Sequence, residues 1–118
     1  MNIEEIRHYC LSKKGVSESF PFDETTLVFK VGSKIFALTN LERDFGINLK
    51  CDPEKAIQLR EWHPYVLPGY HMNKKHWNTV QFDQAGRDEL IEWIDESYEL
   101  VRSSLTKKEQ ALISSLKD

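Results

Sequence analysis

Two runs of β-branched and aromatic residues, held apart by two small residues, constrain this chain most. Thr26-Leu27-Val28-Phe29-Lys30-Val31 and Lys34-Ile35-Phe36-Ala37-Leu38-Thr39 flank Gly32-Ser33. A two-residue loop containing glycine joins antiparallel strands through a primed turn, because glycine reaches the positive φ such turns need. The pair predicts an antiparallel hairpin, and a sheet grown from it must bury one face under another layer. Phe45-Gly46-Ile47-Asn48-Leu49-Lys50-Cys51 alternates apolar and polar and predicts a third strand. Its parity buries Phe45, Ile47, Leu49 and Cys51 and turns Asn48 and Lys50 outward. Trp77–Phe82 alternates as well, with Trp77, Thr79 and Gln81 on one face and Asn78, Val80 and Phe82 on the other. Ser19–Asp23 adds a candidate short extended segment, broken by Pro21.

The helices announce themselves by their ends. Asn2 and Glu5 form a capping-box pattern, and Ile3, Ile6 and Cys10 share one face. That helix is expected to stop at Gly15, after Lys13-Lys14. Asp52-Pro53-Glu54 starts a second helix, expected to run to Trp62 with Ala56, Leu59 and Arg60 on one side, because Pro64 disfavours helical geometry at His63. Tyr65–Asn73 holds Pro68-Gly69 and reads as a loop with a turn. Leu90, Ile91, Ile94, Tyr98, Val101 and Leu105 recur at helical spacing, which predicts a long helix over Asp88–Ser103. Thr106 and Glu109 repeat the capping box and open a final helix with Leu112, Ile113 and Leu116 expected inward. The expectation is an α+β fold: an antiparallel sheet of about four to five strands packed by helices, in the order α-β-β-β-α-β-α-α.

Length and composition fit one domain over residues 1–118. The chain is 40% hydrophobic and 30% charged, too apolar for a disordered chain and mixed in sign. No apolar run approaches the ~20 residues that span a bilayer, so no membrane association is expected. The acidic start, Met1-Asn2-Ile3-Glu4-Glu5, has no signal-type apolar region. Cys10 and Cys51 form neither a disulfide framework nor a metal spacing, so a cytoplasmic protein with reduced thiols is the expectation. The net charge of −3 argues against a generally cationic nucleic-acid coat. The excess acid lies beyond residue 84, so any cationic face must be built from the residues before it, with the acidic helix pointing elsewhere.

The densest polar cluster is His71-Met72-Asn73-Lys74-Lys75-His76-Trp77. Lys74 and Lys75 supply point charges for phosphate, Asn73 can read or orient, and Trp77 offers a stacking surface. The bland alternative is a solvated loop, with Asn73 and His71 tied to the backbone and Trp77 filling space beneath. His63, His71 and His76 lie close in sequence but match no zinc spacing, so no metal and no cofactor is expected. No nucleophile elbow, phosphate loop or dinucleotide fingerprint occurs, and no catalytic residue is assigned.

Several segments together resemble one family. They are Lys14-Gly15-Val16, Glu18-Ser19-Phe20-Pro21-Phe22, Val28-Phe29-Lys30-Val31, Gly32-Ser33-Lys34-Ile35-Phe36-Ala37, Asn48-Leu49-Lys50-Cys51, Pro68 through Val80, and Ser97-Tyr98 with Leu100-Val101. The Asn73-Lys74-Lys75-His76-Trp77 core is the most specific part. The chain resembles the MmcQ/YjbR family of small bacterial proteins. The resemblance implies an α+β fold, similar to YjbR-like, secretion-chaperone-like and CyaY-like arrangements. It also implies DNA binding through a double wing of strands. The matching residues are Lys50, at the strand-to-helix junction, with His71, Asn73, Lys74, His76 and Trp77; Lys75 stands at a variable position of the motif. The leading expectation is a non-enzymatic, monomeric cytoplasmic module binding DNA weakly and without sequence preference. A protein-partner or chaperone-like module is the alternative, and a small-ligand site near His71 and His76 the second alternative.

Overall fold

The computed structural model describes residues 1–42, 46–69 and 72–116. The elements run α1 (Ile3–Leu11), β1 (Val16–Ser19), β2 (Thr26–Val31), β3 (Lys34–Asn40), β4 (Gly46–Lys50), α2 (Pro53–Trp62), β5 (Val66–Pro68), β6 (Trp77–Gln81), α3 (Arg87–Ser103) and α4 (Lys107–Ser114). The strands form one antiparallel sheet in the order β1-β2-β3-β4-β6-β5. The α+β architecture is as expected, with six strands rather than four or five. None of the described helices is long and apolar enough to cross a membrane.

The hairpin forms across Gly32, whose φ of 57° is the positive value the turn requires, with Val31 opposite Lys34. The register slips between Phe29 and Lys30, so Phe36 becomes an extra residue on β3. Helix α1 carries the full Asn2–Glu5 capping box but ends at Leu11, short of Lys13. Asp52 caps α2 by accepting from the Lys55 N–H, and α2 ends at Trp62.

Four expectations are corrected. The extended segment is not Ser19–Asp23 but β1, Val16–Ser19. Beyond it the Asp23 carboxylate accepts the N–H groups of Thr25 and Thr26, at 2.9 and 2.6 Å, and folds the chain into a turn instead of a strand. Within the expected loop, Val66–Pro68 pairs with Val80–Asn78 as the edge strand β5; three residues are too few for periodicity to register. The long helix starts one residue early, at Arg87, where the Gly86 N–H donates to the Glu89 carboxylate. On α4 only Ile113 is inward, while Leu112 and Leu116 are 60% and 47% exposed. One turn apart, those two leucines share the outer side. Phe45 lies outside the described residues.

One sheet face carries the core. Leu27, Phe29, Val31, Ala37, Ile47, Leu49, Val66 and Val80 pack against Ile6 and Cys10 of α1, Ala56 and Leu59 of α2, and Leu90, Ile94 and Val101 of α3. Each of the larger aliphatic and aromatic side chains among them, removed from water, contributes roughly 1.5–3 kcal/mol to folding. All four described helices feed this one cluster, so among the described residues the other sheet face carries no helical layer.

Two buried polar side chains lock the layers. Where Phe36 bulges out, the ladder between β3 and β4 stops at Ala37 and Leu49. The Ser97 hydroxyl enters the gap, donating to the Phe36 carbonyl at 2.5 Å and accepting from the Lys50 N–H at 2.8 Å. Asn78, on the core face of β6, donates to the Ala56 carbonyl and accepts from Arg60 at 2.6 Å. These bonds fix α3 and α2 to the strands that carry Lys50 and Trp77.

Candidate nucleic-acid interface

The face without helices is defined by strand register. Lys50 sits directly opposite Trp77, and Asn48 opposite Thr79. Lys30 pairs with Ile35 on one side and Ser17 on the other. Because Lys30 alternates with the core residues Phe29 and Val31, its side chain belongs to the open face. The strand positions on this face read Ser17, Ser19, Thr26, Val28, Lys30, Ile35, Leu38, Asn40, Gly46, Asn48, Lys50, Leu67, Trp77, Thr79 and Gln81, of which Val28 and Leu38, toward the acidic end, are buried. They include two lysines and no carboxylate.

The charge on this face is graded along the strands. Lys30, Lys50 and Trp77 lie at one end, and the turn carrying Lys74 and Lys75 leads into β6 at that same end. Asp23, Glu24 and Glu42 lie in the connections at the other end. The nearest carboxylates along the chain from Lys50, Asp52 and Glu54, begin α2, which packs on the core face. The acidic α3 also lies on the core side, where Lys13 and Lys55 pair with Asp95 and Glu96, the latter at 2.5 Å.

The turn ahead of β6 is built by Asn73. Its side-chain oxygen accepts from the Lys75 N–H at 2.9 Å, and its carbonyl accepts from the His76 and Trp77 N–H groups. The His76 carbonyl then accepts from the Cys51 N–H, and the Gly69 N–H donates to the Trp77 carbonyl at 2.9 Å. Behind the turn, Arg60 reaches the Lys74 carbonyl at 3.4 Å. A Cβ on Gly69 would stand 2.8 Å from both Cβ and the carbonyl oxygen of Trp77, so only glycine lets the two segments approach this closely. Lys74 and Lys75 are exposed, while His76, Trp77, Lys50 and Lys30 are half-buried.

Of the residues singled out from sequence, Lys50 and Trp77 are brought face to face, and Lys74 and Lys75 stand beside them. Asn73 is spent on the turn, and His76 contributes its backbone to it. His71 lies outside the described residues. Sequence reasoning passed over Lys30, although its parity against Phe29 and Val31 was readable.

The remaining candidates are structural. His63 is bonded to the Tyr65 hydroxyl at 3.0 Å and stacks edge-on against Trp93. Tyr65 donates to Glu89 at 2.6 Å; this bond lowers the Glu89 carboxyl below its ordinary range and pushes the tyrosine up to about 12. Burial pushes the Cys10 thiol up to about 12 and the Cys51 thiol up to about 11, the reverse of nucleophile activation. The cavity lined by Leu49, Cys51, Leu59, Trp93 and Glu96 measures about 10 Å³, room for one water molecule. Among the described residues no three or more His, Cys, Asp or Glu side chains are grouped to hold a metal ion.

Known proteins share this architecture over nearly the whole chain. The protein YjbR of Escherichia coli K12 is 34% identical over 118 residues, 98% of this chain and all of that one. YbdF of Escherichia coli O157:H7 is 38% identical over 91% of this chain and 89% of its own. Protein DR2400 of Deinococcus radiodurans, with a DUF419 domain, superposes with a TM-score of 0.89 at 40% identity, covering 96% of this chain and 88% of that one. A Pseudomonas syringae protein superposes at 0.75 with 29% identity, over 86% and 99% of the two chains. The YjbR family model matches residues 11–100, from the end of α1 through most of α3 and including the whole sheet. The chain belongs to the YjbR family.

Proposed function

We propose that this protein is a binding module that contacts DNA, weakly and without sequence preference, through the basic end of its open sheet face. The observation that carries the reading is the cross-strand pairing of Lys50 with Trp77 beside the exposed Lys74-Lys75 turn, on a face whose strand positions hold no carboxylate. Segregation of charge reconciles this with a net charge of −3. Phosphate contacts are local, and at physiological salt the acids on the far layer are screened beyond about 8 Å. Lys50, Lys74 and Lys75 act as phosphate contacts. Trp77 either stacks or holds the turn in place.

The test is a titration of labelled duplex across salt. Three phosphate contacts give a slope of log K against log salt of about −2.7. Lys74→Glu with Lys75→Glu should remove about two-thirds of that slope. Binding no tighter than about 10⁻⁴ M at low salt, or a slope unchanged by the double substitution, removes the proposal.

A second reading has its own observation. Phe20 and Phe22 are 46% and 66% exposed beside the turn pinned by Asp23, and Leu41 joins them at the acidic end. Exposed aromatics on a pinned loop suit a protein partner. A nuclease-treated pull-down that loses a stoichiometric partner on Phe20→Ser with Phe22→Ser would favour it.

A further inference from the structure

Resting on the reading above, we propose that the ligand of the open face is single-stranded nucleic acid, laid across the strands with a base against Trp77 and phosphates at Lys30, Lys50 and the Lys74-Lys75 turn. Three observations favour a single strand over a duplex. All four described helices pack into the core on the opposite face, so none lies on the basic face to enter a groove there. Lys30 and Lys50 project from the sheet surface itself, and Lys74-Lys75 stand on the turn that leads into it. Lys30, on β2, lies two strand spacings from Lys50, on β4, and Trp77 lies one further, which spans roughly 15 Å of platform. The indole makes the difference between the ligands. In a duplex every base face is already stacked, and Trp77 would gain nothing there. An unpaired base can leave its neighbour and stack on an indole without regard to its identity. Around the tryptophan, Asn48, Thr79 and Gln81 continue the same face with neutral polar groups. Thr79 donates to Asn48 at 2.5 Å and Gln81 accepts from Gln84, so these groups are held within the sheet and add no charge that would repel phosphate.

The experiment is fluorescence anisotropy with a labelled oligothymidine of about 12 nucleotides, within the roughly 4–16 that small single-strand modules cover. A duplex of matched phosphate number and heparin serve as competitors. The expected result is tighter binding of the single strand than of the duplex. Trp77→Leu should weaken single-strand binding roughly 5–150-fold and leave duplex and heparin binding within about twofold. Trp77→Phe, which keeps an aromatic face, should retain most of the preference, and melting curves of both variants check that the fold survives. Lys30→Glu should lower single-strand affinity and flatten its salt slope by about 0.7, while Arg87→Gln, where α3 begins at the opposite end of the sheet, should do neither. Equal affinity for both ligands, or a Trp77→Leu effect common to single strand, duplex and heparin, overturns the single-strand proposal and leaves the basic end as a plain polyanion site. Failure to bind all three overturns both.

Discussion

At the scale of single residues, Ser97 decides how the sheet is built. Its hydroxyl satisfies the Phe36 carbonyl and the Lys50 N–H where the ladder is interrupted. Ser97→Ala should cost about 2–4 kcal/mol in urea unfolding, since each stranded backbone group costs about 1–3. A loss below about 0.5 kcal/mol would mean that β3 and β4 simply close and re-pair. Nothing in the sequence marks this role, because the bulge at Phe36 appears only once β2 and β3 are in register. Asn73 shows the same blindness from the other side. An amide that reads a ligand and one that folds a turn are identical in sequence, and only the 2.9 Å bond from the Lys75 N–H separates them. Glu89 adds a pH signature. The Tyr65 hydroxyl bond holds its carboxyl below the ordinary range. A carboxylate depressed in the folded state stabilises above its unfolded pKa, and that stability is lost as pH falls through the folded value. Glu89→Gln should therefore cost stability at neutral pH and converge with the parent protein in acid. A constant difference from neutral to acid would contradict the assignment.

At the scale of elements, what the sequence made legible follows length and capping. The hairpin, β4, β6, α2 and α3 all carry a sustained period or a strong cap, and all form where expected to within a residue or two. The short strands β1 and β5 carry neither. Their pairing comes from the neighbours β2 and β6, which exist only in three dimensions. Helix α4 misled for a related reason: at 8 residues its apolar positions do not fix which side meets the core. Ile113 meets it, lying against Gly15 and Gly32. Ile113→Ala should cost about 2–4 kcal/mol, whereas Leu112→Ala and Leu116→Ala should each stay within about 0.5. Thermal melts of the three variants would check this; equal losses would put the inner side of α4 elsewhere.

At the scale of the whole molecule, function turns on layering. The net charge describes the sum of two unlike faces. An acidic helix covers one side of the sheet, and the other side presents Lys30, Lys50, Trp77 and the Lys74-Lys75 turn at one end. The sequence located the excess acid beyond residue 84 and the lysine turn before it. It left open which sheet face the helices cover, and Lys30 gained meaning only when that was known. The most direct test of the account is a titration of isotope-labelled protein with oligothymidine, followed by amide chemical shifts. A ligand on the basic end of the sheet should give the largest changes at Lys30, Asn48, Lys50 and residues 73–79, with α3 and α4 quiet. Changes concentrated on α3, on α4 or around Phe20 and Phe22 would contradict it.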